Sequence, residues 1–385
     1  MNRRERVFKA IQHQETDFVP YNFHAVPSVW QKVCRHYGLK DTHQAMEFIG
    51  NHIVKVGSDF NYNPWANDVG RVELSVSGGP VRTALDSEGG LHRDEFGCLW
   101  DRTGSLPHPV AYPLAEKPDL DSYEFPDPCR EGRFDQAREL ADRYRGEVFL
   151  FGKLGMALFE RAWSIRGMTQ LLMDMVERPE FVEELLDRIL TEWNLPIIDQ
   201  QLALGVDGFY FADDWGSKTG LLFSPRMWRR FIKPRLAVMY RRCQEAGVIV
   251  AQHSDGAVGV LFPDLIEIGL QVFNPLSPSV MDPPTVKAQY GDQLCFYGGI
   301  DVERTLPFGT PQVVRQEMRS MAGLMGRGGG YILQSSHTIL DDVPLENLVA
   351  YIEEVRQMAG QTRNTRKSTK EAKGFRAFRD VSCLS

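Results

Sequence analysis

Gln252-His253-Ser254-Asp255-Gly256 is the most telling local element of this chain. If the backbone stays extended through it, residues i and i+2 point the same way, so the His253 imidazole and the Asp255 carboxylate can meet one metal ion or share a proton. The competing use is structural, with Asp255 capping a following helix and His253 bonding to a neighbouring strand. Three more elements can join such a site. His337 closes a short apolar run in SSHTILDDVP. Asp213 and Asp214 end another in FADDWGS, and adjacent carboxylates on an extended chain face opposite sides, so one serves the site while the other braces a loop. Glu160 follows GKLGMALF, where a carboxylate completes a metal site, acts as a general acid, or only marks a helix start. Cys295, in mid-run beside Phe296 and Tyr297, reads as packing.

Residues so far apart need a repeating frame to bring them together. Eight short apolar runs with β-branched or aromatic content provide one, at 19–24, 53–59, 147–153, 208–214, 248–255, 271–275, 294–301 and 331–337. Helical patterns follow most of them, at 162–204, 225–246, 257–268, 311–325 and 343–359. Strand alternating with helix predicts a mainly parallel sheet, and eight units can close into a (β/α)8 TIM barrel. A doubly wound sheet would carry a glycine-rich phosphate turn after its first strand, and none follows residue 24; GRGGG at 326–330 precedes a strand and reads as a turn. The stretch 66–132 is too long for one crossover. Its alternating segments RVELSVS, VRTALD and CLWDR, set between glycine turns, predict a β-rich insertion between strands 2 and 3 that caps the barrel mouth. Asn2 is expected to cap the first helix, Ser224-Pro225 to open another, and Asp342 to cap the last with Pro344 in its first turn.

Barrel active sites gather at the C-terminal ends of the strands. The polar residues closing the eight runs are therefore candidates: His24, Asp59, Lys153, Asp213, Asp214, His253, Asp255, Asn274, Asp301 and His337. Closure would set strand eight beside strand one and bring His337 toward His24.

Composition narrows the chemistry. The chain has 385 residues, 43% of them hydrophobic, and a net charge of −7. Residues 361–385 hold seven basic and two acidic side chains, a net of +5, so the rest carries −12. An acidic body argues against a nucleic-acid surface. The basic tail, 359–385, shows no sustained apolar face and is expected to be disordered. No run approaches 18 apolar residues and the first 14 residues are not a signal peptide, so no membrane association is expected and the location is expected to be cytoplasmic. Six scattered cysteines without a CxxC suggest neither a disulfide framework nor a zinc ribbon.

Several segments in order, NRRERVFKAIQHQETDFVP, GVDGFYFADDWGS with FSPRMWRRFIKP, VAQHSDG, DLIEIGLQVFNPLSP, FYGGID with LPFGT, and SSHTILDDVPLENLVAYIEEV, resemble the uroporphyrinogen decarboxylase superfamily over residues 2–358. The resemblance implies a single (β/α)8 barrel over 1–358 and one of two chemistries, cofactor-free decarboxylation of a tetrapyrrole or zinc-dependent methyl transfer involving a corrinoid. Asp59 resembles the family's aspartate that faces pyrrole nitrogens, and His337 its last-strand histidine. True decarboxylases carry an arginine-containing segment like PVWFMRQAGR to grip substrate carboxylates, whereas this chain has FVPYNFHAVPSVWQKV. Methyltransferases of the superfamily show His-x-Cys-Gly where this chain has His253-Ser254-Asp255-Gly256, which exchanges a thiolate for a harder oxygen.

The expectation is therefore a metal-dependent methyltransferase. Zinc would be held by His253 with Asp255, Glu160 and His337, and Asp59, Asp213 or Asp214, and His337 would be available for catalysis. Its partners would be a small methylated substrate and a separate corrinoid protein, since no corrinoid-binding Asp-x-His-x-x-Gly occurs here; a homodimer is compatible with this reading. The alternatives are a decarboxylase in which Asp59 and His337 act without a cofactor, and a non-catalytic binding barrel.

Overall fold

The computed structural model describes residues 1–58, 90–101 and 107–360. Its centre is a curled parallel sheet of seven strands in the order β1 (Ile53–Val56), β5 (Phe149–Leu154), β6 (Gly208–Ala212), β9 (Ile249–His253), β10 (Val272–Leu276), β11 (Cys295–Ile300) and β12 (Tyr331–Ser335). Eight runs were expected as strands and seven are. The first, 19–24, instead makes two isolated parallel bridges, Tyr21 with Leu333 and Ala25 with Ile339. Its ladder is interrupted because Pro20 has no N–H to donate and because Asn51 intervenes: its side chain accepts from Phe23 N and donates to Phe23 O. The segment still touches both edges of the sheet, since Asn22 N donates to Leu333 O and His52 N to Tyr21 O.

Alternation along the strands separates two cores. On β1, Val54 and Val56 face the surrounding helices while Ile53 faces the interior; β11 divides Phe296 and Ile300 from Cys295 and Tyr297 in the same way. Ile53, Phe149, Phe151, Ala251, Val272, Cys295 and Ile332 fill the interior with Val7 and Ile11. The helix Arg3–Ile11, opened by an Asn2–Glu5 capping box, thus plugs the end where the strands begin. A fully buried Phe149 or Phe151 contributes roughly 1.5–3 kcal/mol apiece. Cys295 is part of this packing, and burial pushes its thiol far up.

Helices cover the outside of the sheet. The long pattern at 162–204 is cut at Gly167 and Pro179 into Phe159–Arg166, Met168–Glu177 and Pro179–Arg188, then continues through a wider turn at Ile189–Asn194 to Leu202. Ser224 does cap Pro225–Phe231, accepting from Met227 N. The last helix, Leu345–Met358, starts later than expected. Pro344 is its extended N-cap residue, its carbonyl accepting from Asn347 N and Leu348 N, and Asp342 caps nothing. Among the described residues, no helix is long and apolar enough to cross a membrane.

In sequence between β1 and β5 lie three short antiparallel strands, β2 (Leu91–Arg93), β3 (Leu99–Asp101) and β4 (His108–Ala111). Buried Asp94 organises them by accepting from Phe96 N, Cys98 N and Trp100 Nε1, and Arg161 on the helix Phe159–Arg166 lies 3.7 Å from it. RVELSVS, VRTALD and the basic tail beyond residue 360 lie outside the described residues.

At the C-terminal end of the sheet a small hairpin, β7 (Gly216–Ser217) with β8 (Gly220–Leu221), packs on the turn after β9. Gly256 makes this possible. Its φ is +87°, and a Cβ there would fall 2.4 Å from the Gly216 carbonyl carbon and 2.6 Å from Ser217 N. Gly256→Ala is expected to destabilise the fold by about 1–3 kcal/mol through backbone strain, with a further loss as the hairpin is displaced. Chemical denaturation measures this, and an unchanged midpoint would show that the turn relaxes freely.

Candidate metal centre

β9 places His253 at its last residue, on the interior-facing register with Ala251. Its orientation is fixed by Asn274 on β10, directly opposite in register. Asn274 Nδ2 donates to the Tyr297 carbonyl at 2.9 Å, which leaves Oδ1 facing His253 Nδ1 at 2.6 Å and the Tyr210 hydroxyl at 2.5 Å. An amide oxygen only accepts, so Nδ1 carries a proton, and in the neutral ring Nε2 presents its lone pair to the mouth. Asn274 stood among the strand-end candidates without a role; only the register of β9 against β10 reveals this one.

Carboxylates surround that lone pair. Asp214 Oδ1 and Asp255 Oδ1 each lie 3.8 Å from His253 Nε2, and His337 Nε2 lies 3.4 Å from Asp255 Oδ2. One donor atom each from His253, Asp255 and His337 falls within 4.8 Å of the others. A lone pair and carboxylate oxygens converging without an intervening proton repel one another, and a cation among them turns that repulsion into attraction. Two imidazoles and a carboxylate are a donor set that zinc accepts, with one position left open. The residues present therefore fit a zinc ion.

Asp213 and Asp214 divide the work of their dipeptide. Asp213 is fully buried and turns away from the mouth, accepting from the N–H groups of Leu158 (3.2 Å), Phe159 (3.0 Å) and Glu160 (2.8 Å) and from Trp215 Nε1 (2.7 Å). It caps the helix Phe159–Arg166 from another strand and so positions Glu160. Burial raises its pKa to about 6 against the pull of those N–H groups. Asp214 faces His253 and accepts from Asp255 N at 2.8 Å, holding the Asp255 backbone in place.

Glu160 is buried beside these acids but outside the three-residue group. Burial first, then the charges of Asp214, Asp213 and Asp255, holds its carboxyl well above the usual range. That environment favours the protonated form, which has a proton to give. Asp301 turns into its own loop, accepting from Glu303 N and Arg304 N. Asp59 lies outside the described residues. His24 and Lys153 share the mouth with the histidines: His24 feels Lys55, Lys153, His337 and His253, and desolvation drives its pKa well down. Lys55, buried in the middle of β1, was not a candidate because an isolated lysine inside an apolar run carries no sequence signal of a site.

Comparison with known proteins bears on this arrangement. The family model described as uroporphyrinogen decarboxylase (URO-D) matches residues 96–358. Among curated relatives, uroporphyrinogen decarboxylase from Psychromonas ingrahamii is 23% identical over 257 residues, 64% of this chain and 70% of its own length. That from Vibrio cholerae is 23% identical over 261 residues, with the same coverage. A solved methyltransferase from Methanosarcina mazei superposes with a TM-score of 0.66 at 15% identity, covering 93% of this chain and 99% of that one, a likeness of fold. With the family match spanning most of the sheet and all three residues of the metal group, the chain belongs to the uroporphyrinogen decarboxylase (URO-D) family.

Proposed function

We propose that this chain is a metal-dependent, cytoplasmic methyltransferase of the URO-D family, built on a (β/α)8-type barrel in which the bridged segment 19–24 stands in the place of the first strand and a β-rich insertion follows the second. His253, Asp255 and His337 would hold zinc, and the methyl group of a small methylated substrate would pass to a corrinoid carried by a separate protein. The observation that carries this reading is the His253 Nε2 lone pair, locked by Asn274 and aimed at two carboxylates 3.8 Å away. Zinc in such a site supplies Lewis acidity, and a carboxylate in place of a thiolate makes it the harder acid, suited to polarising a carbon–oxygen bond. On this chain, Asn274 fixes the His253 tautomer, Asp214 steadies Asp255, and Glu160 holds a proton for the departing oxygen.

Decarboxylation of a tetrapyrrole is the second reading, favoured by the names of the curated relatives. There Asp59 would orient the substrate and His337 assist protonation. The absence of an arginine in FVPYNFHAVPSVWQKV weighs against it. Turnover of uroporphyrinogen by chelator-treated protein would put this reading in place of the first.

Elemental analysis after reconstitution is expected to find about one zinc per chain, and His253→Ala to abolish it while the circular dichroism spectrum is retained. Asn274→Ala is expected to weaken zinc binding about 10–100-fold by freeing the tautomer. Asp255→Cys is expected to tighten it. If neither the native protein nor Asp255→Cys binds zinc in a calorimetric titration, the metal reading fails.

A raised carboxyl also has a signature in stability. Where the folded pKa exceeds the unfolded one, the neutral acid's contribution is complete below the unfolded value and is lost as pH rises through the folded value. Metal-free native protein is therefore expected to lose stability relative to Glu160→Gln as pH rises from the ordinary carboxylate range through the raised pKa of Glu160. Parallel profiles would contradict a protonated Glu160.

A further inference from the structure

The interior of the barrel is apolar up to the level of β1 residue 55, where the register that placed Ile53 inward brings in a lysine. Lys55 is only 7% exposed. Its ammonium lies 3.5 Å from the centroid of the Tyr210 ring and 5.6 Å from that of Tyr297. Both rings are locked by their hydroxyls, Tyr210 to Asn274 Oδ1 and Tyr297 to Gln334 Oε1, so they hold the ammonium by their faces and take none of its N–H bonds. Among the described residues Lys55 has no carboxylate and no hydrogen-bond acceptor. A buried cation without a counter-ion is held at a cost that natural folds avoid unless the group is used.

A second lysine lies nearby. On β5, Phe149 and Phe151 face the interior, and the same alternation turns Lys153 inward one step further toward the mouth. Burial, with Lys153 beside it, drives the Lys55 amine well below its ordinary value, and Lys153 itself is lowered to about 8. His24 feels the charges of both lysines and of the two site histidines, and the Lys55 charge reaches His337. The lysines and the metal group thus adjoin: the Tyr210 ring that carries Lys55 lies 5.9 Å, centroid to centroid, from the His253 ring, and its hydroxyl shares Asn274 Oδ1 with His253.

We propose that Lys55, with Lys153, anchors a carboxylate of the substrate beside the His253–Asp255–His337 group, so that the substrate is a small carboxylic acid. The anchor itself follows from the two lysines alone; that the far end of the same molecule carries the methylated oxygen rests on the function proposed above. A carboxylate brought beside Lys55 offsets the burial and the Lys153 charge that disfavour its protonated form; the ammonium, with no acceptor among the described residues, then recognises the carboxylate as a point charge and leaves the remainder of the molecule free to lie along the mouth.

The test is ligand-detected NMR titration with methoxyacetate, its uncharged analogue methoxyacetamide and inorganic phosphate, on the full chain in chelator. Methoxyacetate is expected to bind at least about 10-fold more tightly than the amide, and Lys55→Met to erase that preference. Lys55→Met is expected to fold with a raised thermal midpoint, because it removes an unpaired buried cation; Lys153→Met provides a second variant, expected to reduce the preference. In His253→Ala the preference is expected to persist, so the anchor survives even if the zinc reading fails. Equal affinity for acid and amide, a preference untouched by Lys55→Met, or phosphate binding more tightly than methoxyacetate would each overturn the proposal.

Discussion

Parallel strands wrapped into a closed or nearly closed surface impose a constraint on every residue they contain: alternate side chains must enter an interior too narrow for water and too crowded for mismatched groups. This chain meets the constraint with aromatic and branched residues at the beginning of each strand and with the N-terminal helix beneath them. The same alternation carried two or four residues further delivers Lys55, Lys153, His253 and Asn274 to the mouth. Site and core are successive levels of one arrangement, so a shift of one residue in any strand would exchange a ligand for a core residue.

Asn274 shows how that arrangement becomes chemistry. Its amide is oriented by the backbone of β11 and in turn determines which nitrogen of His253 carries the proton. Asp213 does comparable work at the other side, gathering the N–H groups that begin a helix and so delivering Glu160 to the mouth. Neither residue needs to touch a substrate. Each converts a position on a strand into a direction for a neighbouring side chain, which is what a site of low tolerance requires.

Membership of the URO-D family accounts for the scaffold, and the departures account for the individuality of this chain. By the sequence resemblance, the segment that carries an arginine in decarboxylases holds Asn22 and His24 here, and Asp255 stands where methyltransferases of the superfamily show a cysteine. The basic groups at the mouth come instead from β1 and β5, as lysines whose pKa values burial lowers, a shift that arginine resists.

The sequence by itself determined the order of strands and helices, because period-two and period-3.6 patterns are local and survive without knowledge of the partners. It also singled out His253, Asp255, His337 and the Asp213-Asp214 pair, since polar residues closing apolar runs stand at strand ends. It could not show that segment 19–24 would be tied down by the Asn51 side chain, for that bond spans 28 residues. Nor could it say which aspartate of the pair braces a helix, that Glu160 stands outside the group of three ligand atoms, or that Lys55 lies on two tyrosine rings. Those were decided by tertiary structure alone, because each depends on the register between strands far apart in the chain, and register is set by packing the whole interior at once.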